Sequence, residues 1–188
     1  YPDPALFVER PDLWEVKQPL SGNLYADELL ESCIPMITPI LHRDVFDALG
    51  GFDETLLTGS DYDFWLKATR CFSAHKMPRC FAAYRLHSES VTGTPKETNF
   101  AFLVLKRAVD TYGFTGPDGR TADANLVTQR MADTWLNYAR VHLERGSKRL
   151  GVRGLIQHIF HAPHRARAIF RCCALIARVF LRSGSKSA

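Results

Sequence analysis

The chain has 188 residues, of which 46% are hydrophobic and 23% charged, a composition typical of a globular protein and unlike that of a disordered one. Its length suits one ordinary domain, or a domain with an appendage. No stretch approaches the roughly 18 consecutive apolar residues that a membrane-spanning helix requires, and the opening YPDPALF has no signal-peptide pattern.

The formal net charge of +4 conceals a strong asymmetry along the chain. The first 144 residues contain 14 basic and 20 acidic residues, for a net charge of −6, whereas the last 44 contain ten basic and no acidic residues, for +10. Such a division predicts two parts with different partners, the basic part facing something anionic. A nucleic acid is not the expected partner, because aromatic residues are not interleaved with the basic ones as a stacking platform.

In chain order, the first predicted elements are short. YADELLESC (25–33) predicts a helix, and MITPIL (36–41), which is apolar and partly β-branched, predicts a strand with Pro39 at its edge or at a bulge. HRDVFDALGG predicts a second helix that ends at Gly50 and Gly51, because glycine relieves the left-handed strain at a helix C-terminus.

The next predicted helix begins after the loop FDETLLTG. Ser60 and Asp61 have the side-chain chemistry of an N-cap, and DYDFWLKATRCF continues with the apolar spacing of a helix. SAHKMP and CFAAYRLH then predict two extended segments separated by a turn around Pro78, and SESVTGTPKE predicts a loop.

From Lys96 onward the pattern is helical. Four helices are predicted, from ETNFAFLVLKRAVDTYG, TADANLVTQRMADTWLNYARVHLERG, RLGVRGLIQHIFHAP and HRARAIFRCCALIARVFLR. The predicted fold class is therefore α/β over residues 1–95, followed by an all-α region over residues 96–188.

The five cysteines occur at irregular spacings and form no C-x-x-C pair, so neither a zinc ribbon nor a redox dithiol is indicated. We interpret them as reduced thiols, buried as small hydrophobes in a cytoplasmic protein. They are Cys33, Cys71, Cys80, Cys172 and Cys173.

Three segments, in order, resemble a known enzyme family. TPILHRDVFDALGGFDETL, GSDYDFWLKA and CFAAYRLHSESVT together resemble the C-terminal half of the catalytic domain of family-2 glycosyltransferases, over residues 22–92. The resemblance implies a partial GT-A fold, which is a Rossmann-like domain that uses a nucleotide-sugar donor. The donor-binding half is expected upstream of this chain, so the isolated fragment is expected to be inactive.

The resemblance places the catalytic base of an inverting transfer at Asp61. Such a base takes the proton from the acceptor hydroxyl as the oxygen attacks the anomeric carbon. The orphan N–H groups and the dipole of a helix N-terminus favour a carboxylate anion at this place. Taken alone, Asp61 is more simply interpreted as a helix cap, and the family context reverses that preference. Ser60 and Asp63 are expected to support the base.

Asp61 and Asp63 also spell D-x-D, the motif that holds the metal and the diphosphate in this family. That motif should close an apolar strand after a nucleotide-binding βαβ region, whereas here it opens an amphipathic helix after a glycine turn. The resemblance therefore implies Mg²⁺ or Mn²⁺ held mainly by carboxylates upstream of this chain.

The segment that ends in YRLH carries two further candidate residues. The resemblance places His87 near the donor diphosphate and the metal, where imidazole binds a manganese-like ion or donates a hydrogen bond to phosphate. Arg85 alternates with His87 along the predicted strand and would stabilise the leaving diphosphate. A purely structural histidine is the alternative.

Four residues are candidates for contact with the sugar or the acceptor. Gly50 and Gly51 would let the backbone approach the donor sugar or the acceptor closely. Tyr62 and Trp65 offer rings that can stack on a sugar, although Trp65 is more simply interpreted as a core residue.

The basic tail has two compatible interpretations. YARVHLERG and LIQHIFHAP resemble one tetratricopeptide-like helical pair, which would pack on the preceding domain because one pair cannot bury a face alone. Residues 165–182 also predict a basic amphipathic helix suited to an anionic membrane surface. Its basic stripe comprises Arg167, Arg171, Arg178 and Arg182, and its apolar face comprises Ile169, Phe170, Cys173, Ile176 and Phe180.

The three histidines at i, i+3 and i+6 in the tail, His158, His161 and His164, superficially suggest a metal site. Pro163 interrupts the series and no carboxylate supports it, so we do not interpret it as a metal site.

These patterns lead to an enzyme hypothesis and one rival. The first is a metal-dependent inverting glycosyltransferase that transfers a sugar to a glycan, a lipid-linked or another hydroxyl acceptor, as in cell-envelope polysaccharide biosynthesis. The Q-x-x-R-W signature of processive synthases is absent, which favours single-sugar addition. The rival is a non-catalytic helical binding module that carries a degenerate glycosyltransferase remnant. The expected location is the cytoplasm, with peripheral contact at the inner face of the cytoplasmic membrane.

Overall fold

The computed structural model describes residues 21–77, residue 82 and residues 94–184, with side chains described through residue 179. Helices dominate these residues, and a two-stranded antiparallel sheet accompanies them. The elements are β1 (Ser21–Gly22), α1 (Tyr25–Leu30), α2 (Arg43–Leu49), α3 (Ser60–Cys71), β2 (Ala74–His75), α4 (Phe100–Tyr112), α5 (Ala124–Arg145), α6 (Lys148–His161) and α7 (Arg165–Gly184).

The small sheet joins the start of the described chain to the segment after α3. Ser21 lies opposite His75 and Gly22 opposite Ala74. The extended segment predicted at SAHKMP is thus confirmed in part. Nearly all of the second predicted segment, CFAAYRLH, lies outside the described residues, so a larger sheet of the GT-A kind stays a prediction.

The strand predicted over residues 36–41 is wrong. The backbone turns here, with the N–H of Thr38 donating to the carbonyl of Pro35 at 3.4 Å, and the side chain of Ile40 is 94% exposed. Pro35 and Pro39 flank the turn, and neither has an N–H to donate to a strand ladder. Two closely spaced prolines therefore outweigh the apolar, β-branched composition.

Several helix ends follow the chemistry of their sequences. Helix α2 ends at Gly50, which has a φ of 73° and so takes the left-handed conformation that favours glycine. Helix α5 begins after Asp123, whose carboxylate accepts hydrogen bonds from the N–H groups of Asn125 at 2.8 Å and Leu126 at 3.1 Å. The predicted helical region is confirmed by α4, α5, α6 and α7.

One hydrophobic cluster joins both parts of the predicted division near residue 95. It contains buried residues from α1, α3, α4 and α5 and from the loops before α3 and α5, namely Tyr25, Ala26, Leu29, Leu56, Leu66, Val104, Leu105, Ala108, Ala122 and Val127. The Tyr25 hydroxyl also donates to the carbonyl of Gly113 at 2.8 Å, which ties α1 to the end of α4. The boundary itself stays a prediction, and the two regions share a core.

Helices α5 and α6 form a closely packed antiparallel hairpin. A Cβ at Gly154 would lie 2.9 Å from the Cβ and 3.0 Å from the Cα of Ala139 on α5. A Cβ at Gly151 would lie 2.7 Å from the side chain of Leu143. The small residues at these positions therefore set how closely the two helices approach. In the described residues, no helix is both long enough and apolar enough to cross a membrane.

Gly154→Ala should lower the free energy of unfolding by about 1–3 kcal/mol, because its methyl group would meet the Ala139 backbone, which cannot rotate away. Gly151→Ala is the matched control, since the Leu143 side chain it meets can change rotamer, and a smaller loss is expected. Urea unfolding of both variants measures the difference. A Gly154→Ala protein as stable as the wild type would contradict the close packing.

Candidate functional site around the start of helix α3

The loop between α2 and α3 depends on glycine at its turns. Gly50, Gly51 and Gly59 have φ values of 73°, 78° and 79°, which side chains with a Cβ rarely adopt. A Cβ at Gly51 would also lie 3.0 Å from Cζ of Phe46. The GGFDE sequence thus gives a tight, glycine-dependent turn, while contact of Gly50 or Gly51 with a sugar or an acceptor stays a prediction.

Aromatic side chains pin this loop to α2 and α3. The rings of Phe52 and Phe64 have centroids 4.9 Å apart, and Phe46 lies 5.7 Å from Phe52. Trp65 belongs to the same cluster, with its ring 5.1 Å from that of Phe64, and is only 4% exposed. Its burial favours the core interpretation of Trp65 over a sugar platform.

Asp61 lies in the first turn of α3 and is half-buried. Its Oδ1 accepts a hydrogen bond from the backbone N–H of Tyr62 at 2.8 Å. Within the described part of the chain, no hydrogen bond reaches its other oxygen, Oδ2. The carboxylate is therefore fixed by one oxygen and has acceptor capacity on the other.

The N-cap predicted at Ser60 or Asp61 is wrong. The capping position is Gly59, whose left-handed backbone leads directly into the helix, and no side chain caps α3. Helix α3 begins at Ser60 itself. Asp61 is therefore not the N-cap residue, but its carboxylate pairs with the N–H of Tyr62 in the first turn, so a structural role at the helix start stays the alternative interpretation.

Asp63 has a different environment from Asp61, although only one residue separates them. It is 4% exposed, with Lys67 Nζ 2.6 Å from its Oδ2 and the Arg107 guanidinium 3.4 Å from its Oδ1. Arg107 also donates to Oδ2 of Asp53 in the loop at 2.7 Å. We call Asp53, Asp63, Lys67 and Arg107 the α3 ion cluster, and it links the loop, α3 and α4.

Asp53 contributes to this cluster as a firmly ionised carboxylate. Hydrogen bonds from the Thr55 hydroxyl and from Arg107, in that order of importance, lower the pKa of Asp53 to about 2. Thr55 donates to Asp53 Oδ1 through both its hydroxyl at 2.5 Å and its N–H at 3.0 Å. The acidic residue of GGFDE therefore holds the loop together and binds α4.

Arg107 and Lys67 are cluster members that no motif in the sequence revealed. Lys67 has a weak signal, because it lies four residues after Asp63 on the same helix face. Arg107 comes from a helix more than 40 positions further along the chain, so only the tertiary fold brings it to Asp63.

Tyr62 points to α1 and α5. Its hydroxyl donates to the carbonyl of Glu28 at 2.5 Å, and the Arg130 guanidinium lies 5.0 Å from the centre of its ring. Burial raises the pKa of Tyr62 well above its usual value. The hydroxyl and one ring face are thus used within the fold, and a role of Tyr62 in sugar binding stays a prediction.

The side chain of Glu28 is fully buried beside this contact. Its Oε1 accepts the N–H of Cys33 at 3.0 Å, while Oε2 has no hydrogen-bond partner in the described residues. Desolvation is the main reason that the pKa of this carboxyl rises to about 7. The folded protein is therefore more stable when the Glu28 carboxyl is protonated than when it is ionised.

A small cavity of about 30 Å³ lies beside the α3 ion cluster, lined by Asp63, Lys67, Arg107 and neighbouring residues of α3 and α4. This volume suits about one water molecule, whereas a ligand pocket usually has several hundred cubic ångströms. Arg85 and His87, which the resemblance places near the donor, lie outside the described residues. Their relation to Asp61 therefore stays a prediction.

In the described ranges, no group of three or more His, Cys, Asp or Glu side chains is arranged to hold a metal ion. Two of the tail histidines, His158 and His161, have packing roles, and His164 is exposed. The Nδ1 atom of buried His158 lies 2.8 Å from the carbonyl oxygen of Ala132, and the ring of His161 packs 4.6 Å from that of Phe102. Four cysteines of the described chain, Cys33, Cys71, Cys172 and Cys173, are free thiols. Their predicted burial is confirmed for Cys172 and wrong for Cys71 and Cys173, which are exposed, while Cys80 lies outside the described residues.

Arg107→Met is expected to destabilise the fold by roughly 1–3 kcal/mol, because it leaves the buried Asp63 with one cation instead of two. Lys106→Met is the matched control: Lys106 neighbours Arg107 on α4 but pairs with Asp110 on the exposed surface, where an ion pair contributes about 0.5 kcal/mol or less. Chemical denaturation of the two variants gives the comparison. Equal losses would mean that the cluster adds no more than a surface pair.

The Glu28→Gln variant should be more stable than the wild type, by a margin that grows as the pH rises from 4.5 to about 7. The folded-state pKa of Glu28 is about 7 and the ordinary value is 4.5, so between these pH values the folded protein binds more protons than the unfolded one. Stability attributable to this group therefore falls as pH rises through the window, by about 3 kcal/mol in total. Urea titrations at several pH values measure the free energy of unfolding of both proteins. If the difference between wild type and variant does not change with pH, the buried Glu28 carboxyl does not have this role.

Part of the chain is similar in sequence to a curated protein. Over 90 residues, which is 48% of this chain, it is 31% identical to a protein of Rickettsia prowazekii named an uncharacterized glycosyltransferase. The match spans 28% of that relative's length. No protein-family model and no solved structure gives a significant match.

Proposed function

We propose that this chain is the acceptor-side part of an inverting family-2 glycosyltransferase with a GT-A fold, and that Asp61 is its general base. The proposal rests on the sequence similarity to a glycosyltransferase and on the three motifs that resemble the family. The observation that carries the choice of Asp61 is its carboxylate, one oxygen of which has no partner among the described residues, beside a glycine-defined loop.

The two carboxylates of the D-Y-D sequence are not interchangeable in this proposal. Each oxygen of Asp63 lies next to a cation, and the residue is almost fully buried. A base must reach the proton that it removes, directly or through one water. The half-buried Asp61 is the better candidate on this criterion, since Asp63 would first have to leave Lys67 and Arg107.

The reaction that this arrangement serves is a single displacement. The acceptor hydroxyl attacks the anomeric carbon of the donor sugar, its proton passes to Asp61, and the nucleoside diphosphate leaves from the opposite face with inversion. The fixed oxygen of Asp61 keeps the side chain oriented, and the other oxygen takes the proton. The acceptor is proposed to be a glycan, a lipid-linked sugar or another hydroxyl compound.

A divalent cation, Mg²⁺ or Mn²⁺, would neutralise the leaving diphosphate in this class of reaction. The described residues contain no ligand set for it, and the resemblance places the main carboxylate ligands outside this chain. His87 and Arg85 are proposed to contact the diphosphate from this chain's side. The cytoplasmic location expected from the cysteines also stays a proposal.

Asp61→Asn tests the base directly in a protein that joins this chain to its donor-binding half. Loss of a general base usually slows turnover about 10²- to 10⁴-fold, so we expect a loss of at least ~100-fold in kcat with donor affinity little changed. Release of nucleoside diphosphate in the presence of acceptor is the readout. Glu54→Gln is the matched control, since Glu54 is an exposed carboxylate in the same loop and should leave turnover intact.

Three outcomes would count against the proposal. An Asp61→Asn protein with normal turnover would exclude Asp61 as the base. A wild-type protein that binds no nucleotide sugar would favour the rival helical binding module. An Asp61→Asn protein that unfolds at a much lower urea concentration than the wild type would assign Asp61 a structural role, through its hydrogen bond to the N–H of Tyr62.

A further inference from the structure

Helix α6 leaves a row of large apolar side chains in solvent. Val152, Ile156 and Phe160 follow one another at four-residue spacing and are 52%, 60% and 68% exposed. Residues at this spacing lie on one face of a helix. Gly154 and His158, on another side of α6, are buried against α5. The exposed row therefore faces away from α5.

Helix α7 carries a second exposed apolar surface. Ile169 and Phe170 are 50% and 74% exposed, and Ile176 is 37% exposed. The helix packs through Ala168 and Cys172, which are buried in clusters that also contain Ile159 of α6.

The two exposed surfaces adjoin along the contact between α6 and α7. On the α7 side, Ile169 and Ile176 lie within about 60° of Cys172 around the helix axis. Arg171 lies on the other side of Cys172 and pairs with Asp133 of α5, so the isoleucines face away from α5. On the α6 side, Ile156 lies about 60° from Ile159. We call the joined surface the α6–α7 face; it comprises Val152, Ile156, Phe160, Ile169, Phe170 and Ile176.

Basic side chains lie beside this face on α6 and at the start of α7, and no acidic residue occurs in the sequence after Glu144. One acidic residue from before α4, Glu97, lines a pocket together with Arg149 and Arg153. The exposed basic residues on this side of the two helices are Arg149 and Arg153 of α6 and Arg165 of α7, whereas Arg167 and Arg178 lie about 160° from Ile169 and Ile176 and face away. Arg149 and Arg153 lie on the same half of α6 as its apolar row, at about 20–60° from Ile156. The α6–α7 face is thus an apolar surface with a cationic border.

We propose that the α6–α7 face docks on an anionic bilayer surface, with its aliphatic and phenylalanine side chains in the boundary between headgroups and acyl chains. Arginines at the border then meet lipid phosphates and carboxylates. The sequence indicated residues 165–182 for such contact, and the structure adds the α6 row. This inference does not depend on the proposed enzymatic function.

Charge and composition favour a bilayer over the other possible occupants. A second copy would bring two strongly cationic surfaces together across a symmetric contact, which is unfavourable. A nucleic acid would place charged phosphates against the apolar centre of the face, where desolvation is costly. An anionic bilayer suits both the apolar centre and the basic border of the face, since it offers negative headgroups above an apolar interior.

Co-sedimentation of the full chain with lipid vesicles tests the proposal. We expect binding to phosphatidylcholine vesicles that contain about one-third phosphatidylserine, weakening as salt rises above about 0.1 M, and little binding to pure phosphatidylcholine. The triple variant Ile156→Ser, Phe160→Ser, Phe170→Ser should bind at least about tenfold more weakly. Neutralising Arg149 and Arg153 to Gln should weaken binding about fivefold for each residue.

Leu57→Ser with Leu126→Ser is the matched control, because these leucines are 70% and 58% exposed but belong to other surfaces. That variant should bind vesicles as the wild type does. Helix content by circular dichroism should be the same in all variants, since every substituted side chain is exposed.

Several results would overturn the proposal. One is that the wild type does not bind vesicles. A second is that the triple variant binds them as strongly as the wild type. Another is equal binding to neutral and anionic vesicles. Self-association in ultracentrifugation that the triple variant abolishes would assign the face to a second copy. Binding of a nonspecific RNA oligonucleotide that the same variant abolishes would assign it to nucleic acid.

Discussion

The burial of Asp63 in the first turn of α3 imposes an electrostatic condition on the surrounding structure. A buried carboxylate is tolerated only when cations or hydrogen bonds replace its lost hydration. Lys67 supplies one cation from the same helix, and Arg107 supplies another from α4. Arg107 reaches Asp63 only when α4 lies across α3, so the ion cluster and the shared apolar core favour the same arrangement.

The same condition separates Asp61 from Asp63. Residues two positions apart on a helix point in nearly opposite directions, so the two carboxylates cannot converge on one ion without distorting the turn. A divalent cation at Asp63 would also meet Lys67 and Arg107, whose positive charges repel it. In this conformation Asp61 and Asp63 therefore cannot bind one metal ion together. Asp63 has a structural role, and the carboxylate of Asp61 is the more accessible of the two.

The helices, their order and the glycine-dependent loop could be predicted from the sequence, because capping residues and apolar periodicity act locally. Asp123 and Gly50 are examples in which one side chain, or the lack of one, sets the helix end. The turn at residues 36–41 could not be predicted, because the apolar composition favours a strand and two prolines oppose it. The partners of Asp63, the buried carboxyl of Glu28 and the Tyr62 contact depend on distant segments, so no local pattern contains them.

Helix α7 shows why the sequence left the role of the tail open. An amphipathic helix predicts that some face is buried, but not which of its apolar residues provides the contact. Helix α5 offers small residues, Ala132 and Ala139, and close approach to them requires small side chains on α7, which Ala168 and Cys172 supply. The ion pair between Arg171 and Asp133 fixes the same rotation. The bulkier side chains Ile169 and Phe170 are consequently turned outward, so it is the packing of small residues inside that creates the apolar surface outside.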